Sequence, residues 1–392
     1  MKTRSFLMLW LGASLLSLSC NGQSDAPVPE MRDGVVYVHN PRDGLWQDAP
    51  EPPIRFELEQ TFGVEEAPEE AVLSSISYLA ANAVGDVFVL DGQEGRLICF
   101  RSDGTVRWDV GRKGQGPGEF QRPRGMAWDG GTRLFISNQS GSRLDVFDTE
   151  GNYVRSHTLA PLELTDAHLV GMVKPNTLVF SKSVMGKFAT KVAVVEMSDS
   201  LSRRNVFEID HTGDLQLSRN LSVSPPVTVL DGHIFASHVQ RYQLEGFNLN
   251  GQLQRVATRD LRTLVRPGVY SSGDAVSVWH FGGLNRPVAL AGGFRLLSAS
   301  WPTNVGDPDD FVRRALTTGF SPATRQKIER AHTLDLYDRD WRLLYSISGE
   351  GRNPEIGQPN LVDANGKLYT VKYDPYPHVR RYRVVIQEGG AS

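Results

Sequence analysis

The stretch GRKGQGPGEFQRPRGMAWDGGTRLFISNQSGSRLDVFDTEGNYV, residues 111–154, carries the unit from which the whole chain is built. A glycine-centred turn leads into an alternating strand, Leu134-Phe135-Ile136. A polar turn follows, then a second strand, Arg143-Leu144-Asp145-Val146-Phe147, that ends in an aromatic and closes on the acidic turn Glu150-Gly151. Upstream, residues 87–90 and 96–100 repeat the pattern and close on Asp103-Gly104. Looser copies lie at 178–195, 234–247, 296–337 and 368–382. The copies end at 100, 147, 195, 247, 337 and 382, a spacing of about 47 residues broken only between 247 and 337.

Short strands at a period of 40 to 50 residues, separated by turn chemistry, predict an all-β propeller whose blades are the repeats. Six copies predict six blades. The long interval could hold a seventh, but it contains a helix-like insertion and one well-patterned strand pair, so six is preferred. The last copy has no room for an outer strand before Ser392, and the alternating segment 54–61 supplies one. An N-terminal strand completing the last blade would close the ring and remove its exposed edges.

The quoted stretch resembles an NHL repeat. Gly114, Gly116, Pro117, Gly118, Phe120, Pro123 and Gly125 fall where that repeat places them, and the Arg143 turn and Phe147-Asp148 ending follow in order. Residues 349–359 form a degenerate second copy and 63–73 a weaker third. The resemblance implies a six-bladed NHL-like propeller, of a type common among bacterial surface lipoproteins of unassigned role. Independently of the family, glycines in this crossing suit the positive φ angles of a tight path between blades. The same run is no phosphate loop, because no Lys-Ser or Lys-Thr and no helical pattern follow it.

The composition fits this architecture. The chain has 392 residues, 40% hydrophobic and 22% charged, with 38 Gly and 22 Pro, which is globular and turn-rich. Its 42 Lys+Arg against 45 Asp+Glu leave no basic footprint for nucleic acid. Two cysteines, Cys20 and Cys99, exclude a disulfide scaffold and a cysteine-rich zinc site.

Lys2 and Arg4, the apolar run 6–16 and the small residues up to Cys20 read as an export signal over residues 1–19. Cys20 after Leu18-Ser19 resembles a lipobox, which implies acylation of its thiol and attachment to a membrane through lipid alone. Ser17-Leu18-Ser19 also fits ordinary cleavage, which would give a periplasmic or secreted protein. Asn21 at the following position favours the outer membrane by resemblance to lipoprotein sorting. Residues 20–33 then form a polar tether carrying the lipidated Cys20, and 34–392 the propeller.

Function is sought where the repeat departs from its own pattern. In propellers of this kind the loop leading into each blade and the loop between its second and third strands open on one face around the channel. Two long departures belong to those loops of blade five, residues 261–285 and 302–331. The second predicts two short helices, one capped by Asp307 from Pro308 to about Gly319 and one capped by Ser321 from Pro322. Arg313, Arg314, Arg325, Lys327 and Arg330 make this insertion a candidate partner-docking element. His238, Arg241, Tyr242, Trp279, His280, Arg286 and Trp301 are the ligand-binding candidates.

The second strands end in Asp91, Asn138, Lys182, His238, Ser300 and Lys372, a chemically mixed ring in which Asp91 and Asn138 are expected to brace their own turns. No HExxH, zinc spacing or GxSxG elbow occurs. The expectation is therefore an envelope-anchored, non-catalytic propeller that recognises a peptide, glycan or protein through its channel-mouth face, with no cofactor and no nucleic acid. The alternative is a hydrolase or lyase with a metal-assisted site in the channel, and a divalent metal enters only there.

Overall fold

The computed structural model describes residues 26–387 apart from 64–67, 185–188, 199, 211–225, 239–240, 262–267, 273–274, 280–281, 319–327 and 352. The export signal and Cys20 lie outside the described residues, as do His280, Arg325, Lys327 and the second expected helix. Six blade sheets follow one another along the chain, their strands in sequence order from the channel outward except where N-terminal strands are added at the outer edges of the fourth and sixth. The innermost strands begin near 78, 126, 168, 227, 283 and 358. The expected second and third strands form the middle of every sheet because their side chains are buried on both faces. Val87–Asp91 is buried at every position, whereas the outer strand Val106–Val110 alternates between half-buried and exposed.

Closure occurs where the alternation placed it. The first two N-terminal strands are β1, Glu30–Arg32, and β2, Val35–Asn40; the third, β3, is Ile54–Phe62. β3 pairs antiparallel with the last strand, His378–Ile386, from Val379 opposite Phe62 to Ile386 opposite Ile54. Phe62 is fully buried and its ring meets Phe100 of blade one and Tyr369 of blade six at centroid distances of 6.0 and 6.4 Å. One side chain thus packs the seam between the first blade and the last.

The N-terminal segment does more than close the ring. Glu30–Arg32, assigned to the tether from sequence, forms a hairpin with β2, and β2 pairs in parallel with the outer strand of blade four, Leu253–Arg259. The chain then crosses blade five, where Leu45 and Trp46 donate backbone hydrogen bonds to Leu343 and Leu344, before entering blade six as β3. Asn40 fixes the crossing, accepting from the Leu343 N–H and donating to the Trp341 carbonyl. A Cβ on Gly44 would lie 2.4 Å from the Leu344 oxygen, so only glycine lets the strap lie this close. The strap covers the outer edges of three successive blades, which a sequence without alternation over 41–53 does not announce.

Blade five departs from the repeat as expected, with one correction. The insertion contains helix α1, Pro308–Thr318, whose Asp307 side chain accepts from the Asp309 and Asp310 N–H groups. The stretch expected as a loop, 261–285, instead contains the antiparallel hairpin Gly268–Ser272 and Ala275–Trp279, a two-stranded sheet of its own. The long interval between repeats is therefore filled by a hairpin and a helix rather than a seventh blade, and α1 packs against the hairpin's first strand.

The ring-closing seam yields a stability test. Phe62→Ala is expected to cost about 3–5 kcal/mol, the range for deleting a fully buried phenylalanine, while Leu58→Ala on the same strand but 53% exposed should stay within about 0.5 kcal/mol. Urea denaturation of the two variants checks both figures.

Candidate functional site

The inner strands do not run unbroken past the channel. In blade three Leu169 faces Phe180 and Gly171 faces Val179, leaving Val170 as an extra residue. In blade six Pro359 faces Thr370 and Leu361 faces Tyr369, leaving Asn360. In blade five Leu284 faces Ala299 and Val288 faces Leu296, so four steps on the inner strand oppose three on its neighbour. Pro287 lies inside that bulge and Pro359 borders the other, as befits a residue that cannot donate to a ladder. Three bulges thus fall at one level of three blades. Val170, Asn360 and Arg286, one from each, line a single cavity of about 590 Å³.

All six blades contribute to that cavity, at the ends where their inner strands begin. Tyr78, Met126, His168, Val227, Arg286 and Asn360 represent them in order. Ser181 and Ser183, at the end of a second strand, complete its rim, so the cavity is the channel mouth on the face that carries the loops leading into the blades. The same topology puts α1 and the hairpin on this face, because one follows the second strand of blade five and the other precedes its first.

The electrostatics of the mouth are positive. Arg286 is exposed to the water of the channel, and desolvation by the channel wall holds its guanidinium below its ordinary value while the Tyr78 phenol opposes that shift. His168 is held below the usual histidine value by desolvation, then by Arg124 and Arg286. Arg124 Nη1 donates to His168 Nε2 at 3.0 Å, which fixes the neutral tautomer with its proton on Nδ1. Asp166 stands 4.0 Å from Arg124. Burial pushes the Tyr78 phenol up, and the two arginines draw it back. No carboxylate lines the cavity among the described residues. Among the described residues no three His, Cys, Asp or Glu converge.

The candidates chosen from sequence separate into distinct places. Arg286 lies in the channel cavity. His238 is half-buried at the end of blade four's second strand, outside the cavity wall, with its imidazole held down by burial and by the exposed Arg241. Tyr242 is a correction. It is buried in the seam between blades four and five, where its hydroxyl donates to Asp335, and so it does not join His238 in a contact set. Trp301 is 8% exposed and lines another pocket, of about 460 Å³, with Arg42 and Gln47 of the strap and Arg259. Trp279 ends the hairpin's second strand, Arg313 and Arg314 are exposed on α1, Arg313 pairing with Asp310, and Arg330 begins the strand that follows the insertion. Asp91 accepts from Ser74, Ser75, Gln93 and Glu94, and Asn138 from Gln121 and Gln139, so both brace loops as expected.

Tyr78, Arg124 and His168 were missed. Each sits at or just before the start of an inner strand, a position that looks unremarkable in each blade and gains meaning only when the ring brings six such positions together. Cys99 is fully buried and its thiol is pushed up to about 12 by burial, which removes it as a nucleophile.

A fully satisfied carboxylate distinguishes scaffold from site. Asp335, fully buried, accepts from Arg259 Nη1 at 2.8 Å, Ser346 Oγ at 2.6 Å and Thr333 Oγ1 at 3.3 Å besides Tyr242. Arg259→Ala strands that charge and is expected to cost about 3–5 kcal/mol. Arg286→Ala should change stability by less than about 0.5 kcal/mol, as for a side chain with no structural partner. Urea midpoints of the two variants make the comparison. A pH test follows from His168. Its folded value lies below the unfolded one near 6.5, so its contribution is intact above about pH 6.5 and is lost as pH falls toward the folded value. The loss of thermal stability between pH 7.5 and 5.5 should be smaller in His168→Gln than in the parent protein.

Comparison with known proteins bears on the fold. No family model matches the chain. Over 69 residues, 17% of the chain, it is 32% identical to human NHL repeat-containing protein 3, and the matched stretch spans 20% of that protein's length. The mouse protein of the same name is 29% identical over 75 residues, 22% of its length. Among solved structures, an exported-protein candidate from Bacteroides fragilis superposes with a TM-score of 0.51 at 7% identity, covering 89% of this chain and 99% of the other. A DUF4221 family member from Bacteroides vulgatus gives 0.49 at 9% identity, covering 85% and 99%. The chain is a six-bladed β-propeller with a short stretch of similarity to NHL repeat-containing proteins.

Proposed function

We propose that this propeller is an exported binding protein of the cell envelope, held there by a lipid on Cys20, which recognises a partner through its channel-mouth face. The observation that carries the reading is the convergence of three departures from the repeat on one end of the ring. The bulged inner strands open a cavity there, and the two elaborations of blade five, α1 and the hairpin, which pack against each other, belong to loops of the same end. A ring built of repeats has no structural need to bulge three inner strands at one level, and loops lengthened on a rigid scaffold commonly carry contacts.

Export is supported by the charged and apolar N-terminal residues and by the fold likeness to an exported-protein candidate, and no helix among the described residues is long and apolar enough to cross a membrane. Acylation of Cys20 would attach the protein through lipid, each buried methylene contributing about 0.8 kcal/mol, with β1 and β2 placing the tether on the rim of blade four.

Site-specific photo-crosslinking in a Gram-negative envelope tests the face. A crosslinker at Ser183, on the cavity rim, is expected to capture a discrete partner or ligand, and one at Asn250, in an exposed turn at the opposite ends of the strands, is not. Equal capture from both positions, or from Asn250 alone, would refute the assignment of the face. Cys20→Ala should move the protein from the detergent phase to the aqueous phase of a cloud-point partition.

A further inference from the structure

The channel cavity contains a charge that no described residue of the fold answers. Arg286 is exposed to the water of the channel mouth and makes no hydrogen bond or ion pair with any described residue. Its neighbour Arg124 is partly answered by Asp166 at 4.0 Å and directs one N–H to His168. Among the described residues nothing on the cavity wall carries a negative charge to answer it, so an anion entering the mouth would meet a guanidinium with its pairing capacity unused. Arg286 is also aimed by construction, because it sits in the bulge around Pro287 and Asn285 anchors that bulge. The Asn285 N–H donates to the Ser298 carbonyl at 2.8 Å and its side-chain amide donates to the Ser298 hydroxyl at 2.9 Å.

Charge and lining together limit the ligand. Among the described residues one guanidinium of the cavity wall has no counter-charge, which matches a single negative charge better than a phosphate dianion. The cavity wall carries Ser77, Ser181, Ser183, Thr228 and Asn360, hydroxyls and an amide that both donate and accept. These alternate with apolar faces such as Leu79 and Leu361. A volume of about 590 Å³ lies in the range of small-molecule sites.

We infer that the channel mouth is a receptor for the carboxylate of a small hydroxyl-bearing acid, an acidic sugar of one or two rings, with Arg286 pairing the carboxylate and the serine, threonine and asparagine rim taking its hydroxyls. This assignment rests on the reading of the channel-mouth face as the binding surface and names the class of ligand for it.

The test uses the mature full-length protein and four probes: D-glucuronate, D-glucose, inorganic phosphate and N-acetylaspartate. Calorimetry gives affinity, and the NMR signal of the His168 ring reports occupancy of the channel. Glucuronate is expected to bind saturably at one site with a shift at His168, and glucose to produce neither. Phosphate and N-acetylaspartate should bind at least tenfold more weakly. Arg286→Ala, whose urea midpoint shows it folded, should lose at least tenfold in glucuronate affinity, and Arg286→Lys should recover part of it. The inference is overturned by the absence of saturable glucuronate binding, by glucose, phosphate or N-acetylaspartate matching it, or by Arg286→Ala leaving the affinity unchanged. Failure here with Ser183 capture intact removes the acidic-sugar assignment and leaves the binding face standing.

Discussion

Everything in this molecule depends on the pairing of an N-terminal strand with a C-terminal one. β3 lies against His378–Ile386 along nearly its whole length, and Phe62 is seated between Phe100 and Tyr369. Without that pairing the repeats form an open fan with two unprotected edges. With it the six inner strands are forced into a circle, and residues far apart in sequence face one another across a channel. Arg286 bears on the titration of both Tyr78 and His168, residues of two other blades, only because the circle is closed.

The strap extends the same constraint outward. By pairing β2 with blade four, bonding 45–46 to blade five and entering blade six as β3, a single segment fixes three consecutive blades relative to one another. The Asp335 cluster acts on the inside of the same seam, where Arg259 joins blade four to blade five and also donates to the strap carbonyl of Arg42. Charge is placed differently inside the scaffold and at the mouth. Asp335 and Arg259 answer each other inside the scaffold, whereas Arg286 is exposed in the channel mouth and has no partner among the described residues.

The repeats were legible because a strand buried on both faces writes an unmistakable apolar run, as at 87–90 and 134–136, and a tight turn writes glycine. Gly125, at φ 138° with Leu169 O 2.2 Å from where a Cβ would stand, shows why that spelling is strict. The closing strand was legible by subtraction, since blade six lacked an outer strand. The strap was not, because its hold on blade five comes from backbone groups and from Asn40, which leave no periodic mark. The site was half legible. Arg286 stood out beside an irregular loop, but Arg124 and His168 belong to ordinary positions of ordinary blades. Tyr242 misled because proximity to His238 in sequence placed it on the wrong side of a sheet whose side chains alternate. Pro287 and Pro359, prolines inside strand positions, were the available signal for the bulges.

Native-state hydrogen exchange of β3 tests the central claim most directly. If closure is what makes the ring one cooperative body, the amides of β3 that bond to His378–Ile386 should exchange only through global unfolding, with the same free energy as those of the buried strand Val87–Asp91. Exchange of β3 at a markedly lower free energy, while the middle strands remain protected, would show that the ring persists without its seam and would contradict the account.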